Sequence, residues 1–273
     1  IHPRKSIVTI HDLGYLHEPG SHTRASRIQL RLTTQWNARK AKHLIAISES
    51  TRQDLIEHCQ VDPARVSVIR HGVEPAFREL DESEVRRYRI AARLPERFVL
   101  YLGTIQPRKN LVRLIDAFEQ IAHDDLEVEL VLAGRNGWLA KPIRQHASSS
   151  HFRDRIRFLG HVPDEQLPLL YNAATCVALP SLYEGFGLPA LEAQACGVPA
   201  LVSNRGALPE LAGADMVIAD PERTDEIAAG LVTLCRQRHV REQIDRRIEH
   251  AAEFSWVNSA AQTRQLFEEV LEE

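Results

Sequence analysis

From residue 98 onward the sequence repeats one unit, a short apolar run that ends near Gly, Pro or Asn and is followed, in most cases, by a helical pattern. The runs are 98–103, 128–134, 156–160, 176–180, 200–204 and 216–219. Runs this short, with little polar alternation, are the mark of strands buried on both faces. Such strands, separated by helices, build a parallel sheet covered on both sides and joined by right-handed crossovers. In an open sheet of that kind ligands sit outside the carboxyl ends of the strands. The residues that end each run are therefore the first place to look for chemistry.

The earlier part of the chain repeats the rhythm more briefly. Runs at 6–12, 43–48 and 66–69 read as strands, with a helix expected over 49–60. The first run delivers His11 and Asp12 at its carboxyl end. Residues 74–97 are rich in charge and contain Pro75 and Pro95, which suits a linker and a short polar helix. Two domains are expected, over 1–75 and 76–253, with a last helical segment over 254–273. A length of 273 residues accommodates two modest domains or one large one.

Composition narrows the function classes. With 44% hydrophobic and 26% charged residues and a formal charge of -3, the chain reads as a soluble globular protein with no nucleic-acid partner. Four scattered cysteines, Cys59, Cys176, Cys196 and Cys235, show no disulfide or zinc spacing and point to a reducing compartment. No apolar run approaches the roughly 20 residues that span a bilayer, and the first residues are not those of a signal peptide. The chain opens on Ile1, directly before a strand, as expected of a fragment or of a protein whose beginning is missing. Between Pro19 and Ser48 there is no acidic residue, while Arg24, Arg27, Arg31, Arg39, Lys40 and Lys42 punctuate an expected helix. That stretch suits an anionic membrane surface or a phosphate-bearing lipid; the plainer reading is a solvated helix face.

Two run ends carry distinctive chemistry. After 176–179 comes Pro180-Ser-Leu-Tyr-Glu-Gly-Phe-Gly-Leu-Pro-Ala-Leu-Glu192, a strand, a turn and a helix start. Gly185 and Gly187 allow backbone angles closed to other residues, Pro189 suits a first helical turn, and the free N–H groups form an anion seat. Glu184 and Glu192 bracket the turn. A carboxylate accepts two hydroxyl hydrogen bonds at once and so suits the vicinal diols of sugars. Taken alone, the pair reads more readily as helix-start carboxylates favoured by the macrodipole. After 98–103 comes Gly103-Thr-Ile-Gln-Pro-Arg-Lys-Asn110, which sets Arg108 and Lys109 at a helix start, where fixed positive charge would neutralise a diphosphate. Gly134 ends the next run and permits close backbone approach. Trp138 is expected in the core, and Asp164 is expected to cap a helix.

These motifs resemble a known family. Glu184-Gly-Phe-Gly-Leu-Pro-Ala-Leu-Glu192 is similar to the Glu-x7-Glu signature of family-four retaining glycosyltransferases, and Pro107-Arg-Lys-Asn110 resembles the equivalent turn of their mannosyltransferase-like members. The resemblance implies an α/β fold of GT-B type, two Rossmann-like domains with parallel sheets, the first one incomplete and lacking the glycine-rich loop of an earlier half. It implies that Glu184 lies beside the donor sugar, that Glu192 holds the ribose hydroxyls and that His11, in a His-Asp-Leu element, contacts the transferred sugar. Lys109 matches the diphosphate lysine; Thr104 stands where an arginine is common, leaving that role to Arg108. Gly103, Gly134, Ser181, Gly185, Phe186, Gly187 and Leu188 complete the donor-binding set. Residues 160–163 would read the base through backbone groups, Glu210 is expected to be structural, and His71 stands where asparagine is usual in a turn. The helix after Phe254-Ser-Trp256 is implied to cross back onto the first domain.

The implied function is transfer of a sugar, mannose among the candidates, from a nucleotide diphosphate sugar such as GDP-mannose or a UDP-sugar to a glycan or lipid-linked saccharide acceptor. No metal or other cofactor is implied, since no Asp-x-Asp motif stands at a strand end. The implied setting is cytoplasmic polysaccharide biosynthesis, with residues 24–42 available for peripheral contact with the inner face of the membrane. Two alternatives remain open, a truncated nucleotide-sugar-binding module without turnover and a sugar nucleotide epimerase of the same fold.

Overall fold

A computed structural model describes residues 5–123, 127–213, 215–237 and 240–272. Residues 1–4 and 273, which fall within the expected domain spans, lie outside them. The chain forms two parallel sheets.

The first has three strands in the order β1-β2-β3, with β1 at Ile7–Ile10, β2 at His43–Ala46 and β3 at Val66–Val68. Ile7 lies opposite His43, and Leu44 opposite Val66. A short helix α1 (Gly14–His17) and a long one, α2 (Arg24–Lys40), connect β1 to β2, and α3 (Glu49–Cys59) connects β2 to β3. Each long helix has a side-chain cap: Thr23 accepts from the Ser26 amide and Ser48 from the Thr51 amide. The core here is Ile10, Leu13, Tyr15, Ala38, Leu44 and Leu55. The outer face of α2 is bare, with Ile28, Leu32 and Trp36 61%, 63% and 52% exposed.

The second sheet has six strands in the order β6-β5-β4-β7-β8-β9. They are β4 (Phe98–Leu102), β5 (Glu129–Ala133), β6 (Ile156–Gly160), β7 (Cys176–Leu179), β8 (Ala200–Ser203) and β9 (Val217–Ala219). Every expected run becomes a strand, mostly a residue or two shorter than its apolar run. Helices α5 (Leu111–His123), α6 (Ala140–Ser149), α7 (Leu167–Ala173), α8 (Leu188–Ala195) and α9 (Thr224–Arg236) cover it, with α4 (Glu82–Ala91) before β4 and α10 (Arg241–Ala252) after α9. Phe98, Val99, Leu100 and Tyr101 are wholly buried, as are Cys176, Val177 and Ala178, which accounts for the uninterrupted apolar runs.

The topology selects one place for a ligand. From β4 the chain moves outward through β5 and β6, then returns to lay β7 beside β4, Val99 opposite Cys176, and moves outward the other way. In open α/β sheets a ligand site lies beyond the carboxyl ends of the strands at such a switch point. The loops there are 103–110 and 180–187. The last helix, α11 (Trp256–Glu272), sets Leu266 and Val270 against Ile7, Ile45 and Ile69 of the first sheet.

Two local expectations are corrected. Trp138 is 51% exposed, outside the core. It lies in the turn before α6, between Gly137, whose amide donates to the Ile105 carbonyl, and Leu139, left-handed at φ 55°. Asp164 makes no side-chain cap: it opens a single 3₁₀ turn, and α7 starts only at Leu167, with Pro168 in its first turn. All four cysteines are free.

Candidate functional site

The two loops at the switch point are laced together by Asn110. It adopts a left-handed conformation, φ 58°, which asparagine tolerates better than most side chains. Its buried amide donates to the Pro180 carbonyl at 3.0 Å and the Pro221 carbonyl at 2.6 Å. The Leu182 amide donates to the Arg108 carbonyl, and the Arg108 guanidinium donates to the Tyr183 carbonyl at 2.8 Å. A 3₁₀ turn at Pro107–Lys109 thus presents both cations to the loop that follows β7.

They meet Glu184 there. Lys109 Nζ is ion-paired with Glu184 Oε1, Arg108 Nη1 lies 3.6 Å from Oε2, and Ser181 Oγ donates to Oε1 at 2.6 Å. Glu184 is 8% exposed. Burial alone would push its carboxyl up, but the charges of Lys109 and Arg108 and the bonds from Lys109 and Ser181 outweigh it and hold the group below its ordinary value. The carboxylate is therefore ionised and shared by two cations.

Glu192, one turn into α8, is held elsewhere. Its Oε2 accepts from the Tyr171 hydroxyl at 2.6 Å. Burial, helped by the nearby Asp164, raises its carboxyl despite that bond. The two acids of the motif thus stand in different settings, one against fixed cations and one against a phenol. The structure joins Lys109 and Arg108 to Glu184 and not to Glu192.

The glycines set the close approaches. A Cβ on Gly134 would run into the Gly103 carbonyl, and one on Gly185 into the His11 backbone of the first lobe. Gly187, at φ +112°, precedes α8, and Leu188 is its first residue. Phe186 is buried with Ile47, Leu191, Leu211 and Phe254, and Leu188 packs on the same cluster. The Phe186 ring packs in this cluster directly beside the Gly185 and Gly187 turn.

His11 is exposed at the end of β1, its ring 5.6 Å from that of His71. His71 also lies 5.2 Å from Phe186 and from Trp256, and burial lowers its pKa. More polar bonds cross the seam. The Tyr183 hydroxyl donates to Asp54 Oδ2 at 2.5 Å, and Glu210 accepts from the Glu49 and Ser50 amides at 2.9 and 2.7 Å, capping α3 from the other lobe. Glu210 is structural, as expected. Asn110, Tyr171, Tyr183 and Asp54 were missed in the sequence. Only Asn110 had a signal there, its place in the Pro-Arg-Lys-Asn turn.

Comparisons with known proteins agree with this fold. Residues 84–251 match the family described as Glycosyl transferases group 1, and residues 1–77 match Glycosyltransferase Family 4. The chain is 31% identical over 265 residues to the O-antigen chain mannosyltransferase B of Escherichia coli, across 95% of this chain and 69% of that protein. It is 34% identical over 227 residues to the serotype-specific mannosyltransferase WbdA of Escherichia coli, across 81% of this chain but only 28% of that protein. Among solved structures, a sucrose-phosphate synthase from Thermosynechococcus elongatus superposes with a TM-score of 0.83 at 25% identity, over 97% of this chain and 68% of that one. Anabaena HepE, solved with UDP and glucose, shares the fold with a TM-score of 0.80 at 22% identity, over 97% of this chain and 72% of that one.

Proposed function

The chain belongs to the group 1 glycosyl transferases, with the two parallel sheets of the GT-B fold, and on that premise we propose that it transfers a hexose from a nucleotide diphosphate sugar to a glycan or lipid-linked saccharide, with retention at the anomeric carbon. Mannose is the first candidate sugar, because the similar Escherichia coli proteins are mannosyltransferases; GDP-mannose and UDP-sugars are the donors to test. The observation that carries the reading is the convergence of Lys109, Arg108 and Glu184 at the sheet's switch point.

As the bond from the anomeric carbon to the diphosphate oxygen breaks, negative charge grows on the leaving group. Preorganised cations aimed at that charge stabilise the transition state most effectively. Lys109 and Arg108 are those cations, joined by the oriented amides of the Gly185 to Leu188 turn. Glu184 orients the sugar and favours positive charge at the anomeric carbon, and His11 meets the sugar from the first lobe. The acceptor hydroxyl attacks from the face the diphosphate leaves, and its proton passes to the departing phosphate oxygen. The chemistry at the diphosphate then needs no metal, and no side chain has to act as nucleophile. Glu192, oriented by Tyr171, takes the ribose hydroxyls, and backbone groups of residues 160–163 face the base.

Peripheral contact with an anionic membrane is part of the proposal. Its support is the exposed row Ile28, Leu32 and Trp36 on a helix carrying Arg24, Arg27, Arg31, Arg39 and Lys40, with Lys42 just beyond it. Among the described residues no helix is long and apolar enough to cross a membrane.

A panel of nucleotide sugars, assayed for donor hydrolysis and for transfer to a saccharide acceptor, tests the reading. Release of nucleoside diphosphate from one donor with retained anomeric configuration supports it. Binding without turnover would make the chain a nucleotide-sugar module, and isomerised donor would make it an epimerase.

A further inference from the structure

One cluster of metal-ligating side chains lies apart from the donor corner. Asp54 stands in the second turn of α3, His58 follows it at i+4 on the same face, and His17 ends α1. His17 Nε2 is 2.9 Å from both Asp54 oxygens, and His58 Nε2 is 3.9 Å from Asp54 Oδ1. One donor atom from each residue can be chosen so that all three lie within 4.8 Å of one another.

We propose that His17, Asp54 and His58 bind a divalent transition metal ion of the zinc class at the seam between the two lobes. Zinc takes imidazole nitrogen and carboxylate oxygen at about 2.0–2.2 Å, so donors around a tetrahedral ion stand about 3.3 Å apart. The observed separations of 2.9 and 3.9 Å bracket that value, and small side-chain rotations suffice to close the site. Two imidazoles and one carboxylate suit zinc, cobalt or nickel rather than magnesium or calcium.

The surroundings match a metal site. Asp54 is buried and its Oδ2 already accepts from the Tyr183 hydroxyl at 2.5 Å, the outer hydrogen bond that fixes a ligating carboxylate and leaves Oδ1 for the ion. The Tyr183 ring stacks on His17, centroids 4.4 Å apart and planes within 10°, which holds that imidazole in place. Both histidine side chains are partly exposed, at 36% and 44%, so a water completes the fourth position. The consequence is mechanical. α1 follows His11 and Asp12 almost directly, and Tyr183 immediately precedes Glu184, so an ion here fixes α1 to α3, and Asp54 carries that constraint to the loop bearing Glu184 through the Tyr183 hydroxyl. The inference does not depend on the donor or on turnover.

The test uses tag-free chain, because the sequence holds 13 histidines and a tag would add more. Zn2+ calorimetry gives stoichiometry and affinity, and Co2+ gives the visible ligand-field absorption of a four-coordinate site. One equivalent should bind, with His17→Gln and His58→Gln each weakening it at least tenfold, and Tyr183→Phe weakening it about 10-fold to 100-fold as expected for an outer-shell partner. His58→Gln leaves the His17–Asp54 and Tyr183–Asp54 bonds in place, and circular dichroism checks that the variant is folded. Absence of a stoichiometric site in the wild-type chain, or affinity unchanged in both histidine variants, would overturn the proposal.

Discussion

The ammonium group of Lys109 is bound to the carboxylate of Glu184, a partner 75 residues away in sequence. The cation proposed to receive the diphosphate is thus paired with the acid proposed to receive the sugar. Arg108 stands on the second carboxylate oxygen and Ser181 shares the first. A nucleotide diphosphate sugar would enter as competitor and bridge together, drawing Lys109 toward its phosphates while its hexose meets Glu184.

Glu184→Ala should therefore have two opposite effects. Removing one partner of a buried ion pair costs about 3 kcal/mol because the remaining charge is left uncompensated, so the unliganded variant should melt earlier. Free nucleoside diphosphate should restore more stability to it than to the wild type, whereas affinity for intact donor should fall. Thermal shifts with both ligands check this, and equal effects on the two would refute the division of roles.

Glu192 is assigned to the ribose, so Glu192→Ala should weaken nucleoside diphosphate binding about tenfold, equivalent to about 1.4 kcal/mol. Tyr171→Phe, which removes only the hydroxyl that orients it, should cost about 1 kcal/mol of stability and a smaller part of the affinity. Calorimetry with ribose and deoxyribose nucleotides separates the cases, since the deoxy ligand should be nearly indifferent to Glu192→Ala.

The acids also differ in sign with pH. The folded-state pKa of Glu184 lies below its ordinary 4.5, so its contribution to stability is present above that pH and disappears as pH falls through the folded value. Glu192 is raised above 4.5, and its contribution improves as pH falls through its folded value toward 4.5. Urea midpoints across that range should show Glu184→Gln flattening the acid loss and Glu192→Gln steepening it.

Much of this was legible in the sequence, for identifiable reasons. Strands buried on both faces write themselves as unbroken apolar runs, so all six strands of the second sheet were found, with ends displaced by a residue or two. The candidate site residues sit at strand ends and were named from their motifs. What could not be read was pairing. Lys109 meets Glu184 only because β7 returns to lie beside β4, and a strand order has no local signature. Tyr171 and Glu192, or Tyr183 and Asp54, meet through packing of separate elements for the same reason. Trp138 was misplaced because apolar character predicts burial on average, while it lies exposed in a turn beside the left-handed Leu139.

The bare face of α2 predicts interfacial binding. Vesicles with anionic lipid should sediment the chain, zwitterionic vesicles should not, and added salt should release it as the attraction of Arg24, Arg27 and Arg31 is screened. Leu32→Ser with Trp36→Ser should abolish sedimentation while leaving the fold intact, since both side chains are already exposed.

The account rests most heavily on Lys109 as the diphosphate cation. The decisive measurement is calorimetric affinity of wild type and Lys109→Ala for a nucleoside diphosphate and for the corresponding monophosphate. The account predicts that the variant loses at least about tenfold, about 1.4 kcal/mol, toward the diphosphate and little toward the monophosphate. Equal affinity of both proteins for the diphosphate would contradict it.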